Sequence, residues 1–186
     1  MKLTWRVLFR LLLIIIFIGS WGYFIASDVV ATGQLTARYD MQQVNPYILP
    51  LSPGDRVSEM MKEDGRSFRR LSADPVYFDL RTPRSMRTAT FSITYRGTPP
   101  SLAVFTDKAK WLFDLQPLSS ITDLDNGWRQ GTATFDLSVK PYAWQKYQLM
   151  VALADDTAVD IAAIDVIAHR PPLTWPLLIR EIKERL

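Results

Sequence analysis

The chain has 186 residues, 48% of them hydrophobic and 22% charged, which leaves room for a membrane segment plus one domain and excludes a largely disordered chain. It contains no cysteine, so thiol chemistry, Cys-ligated zinc and stapling disulfides are excluded and packing alone must hold an exported domain. The net charge of +3 comes from Lys2, Arg6 and Arg10; residues 11–186 are neutral, without the basic excess that nucleic-acid binding needs.

From Val7 to Ala26 the chain reads VLFRLLLIIIFIGSWGYFIA, and about 20 such residues at ~1.5 Å rise each match the ~30 Å hydrocarbon core of a bilayer. Arg10 is the one charge in this run; it lies close enough to the start to snorkel, while Trp21 and Tyr23 fall where a far-side aromatic belt is expected. Lys2 and Arg6 before the run, Arg10 near its start and Asp28 after it predict an N-terminus in the cytoplasm and the rest of the chain outside a cytoplasmic membrane, with the lipid bilayer as a partner. A cleaved signal peptide is the rival reading. Phe24-Ile25-Ala26 is a poor cleavage site and Val29-Val30-Ala31 lies far along, which favours a retained anchor over residues 1–28.

Residues 29–65 are predicted to be an extended linker. VVATGQLTARYDM suggests chain leaving the membrane, Pro46, Pro50 and Pro53 break the stretch after it, and only Asp55–Glu63 has the makings of a short helix.

Residues 66–170 carry the pattern of an antiparallel β-sandwich or jelly roll of about eight strands. These are expected near Ser67–Leu71, Val76–Leu80, Thr88–Tyr95, Ser101–Thr106, Lys110–Leu115, Thr132–Val139, Tyr147–Ala154 and Val159–Ala168. Alternation is clearest in Phe91/Ile93/Tyr95, Ala133/Phe135/Leu137/Val139 and Leu149/Val151/Leu153. Pro99-Pro100, Asp125-Asn126-Gly127 and Asp155-Asp156 supply turns. No amphipathic helix separates the strands, which argues against a parallel α/β sheet. In residues 171–186, Leu178, Ile182 and Leu186 share one face of a predicted short amphipathic helix, with Trp175 at its start.

The stretches DPVYFDLRTPR (Asp74–Arg84), TATFSITYRG and WLFDLQPL resemble a group of uncharacterised membrane-anchored β-sandwich proteins of small-genome bacteria. That resemblance implies an exported sandwich and supplies no activity. At the level of fold, the design also resembles galactose-binding-like carbohydrate modules, whose jelly rolls end in a strand much like Ile161–Ala168.

Candidate chemistry is sparse. His169 is the sole histidine; without a second His, a Cys or a GxSxG elbow it reads as structural or solvated. Asp123, Asp125 and Asn126 approach a calcium loop, but the spacing is one residue short of DxDxDG and no Glu follows, so a turn is favoured, with calcium the one cofactor left open. Arg66, Arg69, Arg70, Arg81, Arg84, Arg87 and Arg96 crowd one region. Guanidinium groups suit phosphate and carboxylate, making Arg81, Arg84 and Arg87 candidates for an anionic polymer, against a solvated face ion-paired to Asp64, Asp74 and Asp79. Among Trp111, Trp128, Tyr142, Trp144 and Tyr147, the inter-strand Tyr142 and Trp144 are the best candidates to stack on sugar rings, although most sandwich aromatics are core. The expectation is a non-catalytic, membrane-anchored recognition or assembly module for glycan or anionic envelope polymer. The alternative is a structural subunit of an envelope protein complex that contacts partners through its sheet face or C-terminal helix.

Overall fold

The computed structural model describes residues 5–29, 33–42, 45–82, 86–107, 112–138, 146–154 and 157–170, with the side chains of the first helix described at Trp5 and Phe9–Trp21. The chain divides into two units, one of Met1–Gly33 with Pro171–Leu186 and one of Gln34–Arg170. The C-terminal helix expected over 171–186 lies outside the described residues.

In the first unit, α1 spans Trp5–Val29. The apolar run forms one uninterrupted helix because it holds no proline and is dominated by leucine and isoleucine, which lose little by helix formation compared with burying an unpaired backbone. Its described apolar side chains, including Phe9, Leu12, Ile15, Phe17 and Trp21, are all exposed. Among the described residues no helix is long and apolar enough to cross a membrane.

The second unit is mostly antiparallel β. Its strands are β1 (Gln34–Tyr39), β2 (Met61–Glu63), β3 (Arg66–Leu71), β4 (Val76–Arg81), β5 (Thr88–Arg96), β6 (Ser101–Asp107), β7 (Leu112–Pro117), β8 (Ser119–Asp123), β9 (Arg129–Asp136), β10 (Lys146–Ala152) and β11 (Val159–His169). One sheet runs β2-β3-β11-β5-β9-β8, with β1 also on β11; the other runs β4-β10-β6-β7. All eight expected strands are present. Their inward positions meet in one core, where Phe91, Ile93 and Tyr95 of β5, Phe135 of β9 and Leu149 and Val151 of β10 are fully or almost fully buried. Phe78 meets Phe91 edge-on at 6.1 Å, and Phe91 meets Phe135 at 5.9 Å, the arrangement that ring quadrupoles favour.

Strand β11 organises the larger sheet. One edge pairs with β5 along its length, while the other is shared end to end by β3 at Val159–Ile161 and β1 at Ile164–His169. An irregularity between Ile161 and Ala163 lets Ile161 and Ile164, three apart, both enter the core, as a bulge does by shifting the alternation.

The segment expected as a linker is built into this unit from Gln34 onward. Residues 47–52 lie along the outer edge of β4, with Leu49 N–H donating to Asp79 at 2.9 Å and Arg81 N–H to Tyr47 at 2.7 Å, and Ile48 is fully buried. The short helix expected over Asp55–Glu63 is corrected. Val57 bridges Leu71, Ser58 N–H donates to the Arg70 carbonyl at 2.9 Å, and Met61–Glu63 is strand β2. A helix so short is marginal by itself, and pairing with β3 satisfies the same backbone groups while burying Val57. The two-residue Asp64-Gly65 link between β2 and β3 has positive φ at both positions, as a tight hairpin requires.

Candidate functional site on the outer face of the four-stranded sheet

Outward positions of β4, β10, β6 and β7 are unusually apolar. Tyr77 opposes Met150, Met150 opposes Ala103 and Ala103 opposes Leu115 in one row across the sheet, and Phe105 opposes Phe113 in the next. Tyr77 and Phe113 stand on the two outer strands, yet their rings lie 6.4 Å apart and nearly parallel at 28°. Met150 of β10 and Ala103 of β6 stand in Tyr77's row between the two strands, and the small, fully buried Ala103 leaves room for the rings to lean together. Phe105 supports Phe113 from the side at 4.9 Å. Tyr77, Phe113 and Met150 remain half-buried and Leu115 is 53% exposed, so the strip has an accessible apolar surface.

Polar groups border it. Asp79 opposes Gln148 and Arg81 opposes Lys146 on the same face. Lys146 Nζ lies 2.8 Å from Asp79 Oδ2. Arg81, exposed at the end of β4, extends this border. The face thus combines an aromatic strip with an amide, a carboxylate and two cations, a donor and acceptor set suited to hydroxyl-rich or anionic ligands.

Other predicted residues fall elsewhere. Arg87 is exposed just ahead of β5 in the other sheet, its N–H donating to the His169 carbonyl at 2.8 Å. Arg84, Tyr142, Trp144 and Trp111 lie outside the described residues. Trp128 and Tyr147 are buried and offer no platform. Asp125–Gly127 form a single 3-10 turn with Asn126 at φ 60°, and Asn126 Nδ2 donates to Asp64 Oδ2 at 3.2 Å. Asp123 ends β8 opposite Arg129. Among the described residues no three or more acidic, histidine or cysteine side chains gather as a metal site.

The arginine cluster is divided by the fold. On the outer face of the larger sheet Arg70 Nε and Nη2 donate to the two oxygens of Asp160 at 2.7 and 3.1 Å. Arg96 donates to Asp160 and, at 2.7 Å, to Glu63. The Arg96 guanidinium also lies 5.2 Å from the Phe68 ring and 5.0 Å from that of Trp128. Burial pushes the Asp160 carboxyl up, but the hydrogen bonds and charges of Arg70 and Arg96 outweigh it and hold the group below its ordinary value. Cross-strand ion pairs do form here, with Asp160 and Glu63 as acceptors, and Asp79 pairs with Lys146. Arg69 faces the other way, its Nη1 donating to the Ser58 carbonyl at 3.0 Å.

No protein-family model and no curated protein matches the chain, so the likeness to uncharacterised membrane-anchored proteins rests on the quoted residues alone. Solved structures similar to it include carbohydrate-binding modules. The CBM22-1 xylan-binding domain of Paenibacillus barcinonensis Xyn10C overlaps at a TM-score of 0.48 and 8% identity, covering 73% of this chain and 94% of that one. The C-terminal CBM6 of LamC from Zobellia galactanivorans overlaps at 0.45 and 9%, covering 71% and 98%. The xylan-binding module CBM15 overlaps at 0.42 and 18%, covering 74% and 97%. Likeness at this level is one of sandwich outline and carries no information about ligand.

Proposed function

We propose that this chain is a non-catalytic recognition module that binds a glycan or anionic envelope polymer on the outer face of its four-stranded sheet, with α1 holding it in a cytoplasmic membrane and the sandwich outside. The observation that carries the first part is the Tyr77–Phe113 pair, closed over Ala103 at 6.4 Å and bordered by Gln148, Asp79 and Lys146. Sugar rings present C–H faces that pack on aromatic and thioether surface while amides and charged groups at the border take the hydroxyls. Support for the anchor comes from the apolar run Val7–Ala26, the cations Lys2, Arg6 and Arg10 at its N-terminal end and the exposure of the described apolar side chains of α1, surface that costs about 25 cal/mol per Å² in water.

The test is binding of the full chain, held in nanodiscs, to an array of glycans and anionic cell-wall polymers with and without calcium. Tyr77→Ala and Phe113→Ala are each expected to weaken binding about tenfold, near the value of one stacked aromatic contact. Binding that both variants leave unchanged removes the sheet face from the proposal. No binding to any polymer turns the reading to the alternative, a structural subunit of an envelope complex.

A further inference from the structure

The sandwich manages its sheet edges unequally. Residues 47–52 cover β4. On the larger sheet β2 is three residues long, β8 is interrupted at Ser120, where φ is 49°, and β1 carries Arg38, whose carbonyl accepts from Asn45 at 2.7 Å. Short, bulged, charged or covered edges resist pairing with other strands. β7 is guarded less: it carries an inward Asp114 opposite Val104 and ends in Pro117, but its register with β6 is regular from Phe113 to Pro117 and among the described residues no segment covers its outer edge. It is six residues long, LFDLQP, with Asp114 its single charge; Leu112 is 51% and Leu115 53% exposed, and beyond its ladder with β6 no other strand pairs with it among the described residues.

We infer that β7 pairs antiparallel with β7 of a second copy of this chain, about a two-fold axis through Leu115, joining two four-stranded sheets into one. Charge and side-chain direction select both occupant and register. A two-fold axis perpendicular to the sheet keeps outward residues opposite outward residues, so it must pass through a residue. Centring on Asp114 sets two carboxylates face to face, which destabilises a strand pair. Centring on Leu115 sets Leu115 against its own copy, Phe113 against Pro117, and Asp114 against Gln116. The last combination is compatible within one chain, where Gln116 Nε2 donates to Asp114 Oδ1 at 3.0 Å. The segment is therefore self-complementary in an isologous contact. The pairing does not depend on what the sheet face binds, although it aligns two such faces on one side of a continuous sheet.

The absence of cysteine from the chain makes the test direct. Directly opposed residues in an antiparallel pair lie about 4.5–5.5 Å apart, within disulfide reach. In full-length protein in detergent micelles, Leu115→Cys is expected to cross-link into a covalent two-copy species on mild oxidation, while Ile121→Cys, 45% exposed on β8, stays uncross-linked. In parallel, light scattering over a concentration series is expected to give a two-copy mass that Leu115→Lys halves, with unchanged circular dichroism confirming that the variant folds. A one-copy mass for the unaltered chain, a two-copy mass that Leu115→Lys leaves intact, or equal cross-linking of the two cysteine variants overturns the inference. An intact mass in Leu115→Lys assigns the association to another surface such as α1.

Discussion

Arg96 grips Asp160 across two neighbouring strands, its Nε and Nη2 lying 3.2 and 3.0 Å from a single carboxylate oxygen. The acid side chain is 6% exposed, whereas those of Arg96 and Arg70 are 26% and 50% exposed. Loss of the carboxylate therefore leaves two cations that can still reach water. Asp160→Ala is expected to destabilise by about 2 kcal/mol, less than the ~3–5 kcal/mol for breaking a fully buried pair. Because the folded Asp160 sits below its ordinary value, its contribution is present above the unfolded carboxylate range, near pH 4, and is lost as pH falls through the folded value. Thermal melts between neutral and strongly acid pH should show a wild-type loss in acid that Asp160→Asn flattens.

Asp165 behaves in the opposite sense. Burial raises its carboxyl above the ordinary value, and Arg38, 3.5 Å away but 66% exposed, opposes this only partly. A raised acid is fully favourable to folding below its unfolded value and becomes a cost as pH rises through the folded one. Asp165→Asn should raise the melting temperature at neutral pH and leave it unchanged near pH 3. A lower melting temperature at neutral pH would mean that the Arg38 pair outweighs burial.

Gly131 lies on the inner side of β9, where an added Cβ would stand 2.9 Å from Leu118 Cβ. Gly131→Ala should cost about 1–3 kcal/mol, the usual penalty for overpacking. Denaturant melts of Gly131→Ala with Leu118→Gly should show less than the sum of the single effects, because the second change removes the Leu118 Cβ that the first would meet.

The Tyr95 hydroxyl is buried in the core with no hydrogen-bond partner among the described residues. A buried unpaired donor costs about 1–3 kcal/mol, so removing it is favourable where packing is kept. Tyr95→Phe is expected to match or exceed the stability of the unaltered chain in urea. A marked loss would place an ordered water on that oxygen.

Much of the fold was readable because buried strands alternate with a period of two. Phe91/Ile93/Tyr95 and Leu149/Val151/Leu153 announce themselves in this way, and all six are buried. β8 escaped because SSITD is exposed at every position, and β2 because three residues carry no period. β1 does alternate in QLTARY, yet only its pairing with β11 separates a sheet strand from extended chain. The aromatic strip left a trace in β4, β6 and β7, whose segments VYFDLR, SLAVF and LFDLQP place apolar residues on both faces. Such a doubly apolar strand signals a second contact surface.

The local pattern by itself determined the long helix α1, the eight strands with a clear apolar period or flanking turns, and which side of the alternating strands faces the core, since those properties follow from periodicity and from turn residues near in sequence. Tertiary structure alone decided which strands became neighbours. Asp160 meets Arg70 and Arg96 across separations of 90 and 64 residues, and Tyr77 meets Phe113 from opposite edges of a sheet because Ala103 lies between them. Such meetings depend on strand order and register, which are selected by the packing of two whole sheets around one core and leave no mark in any single segment.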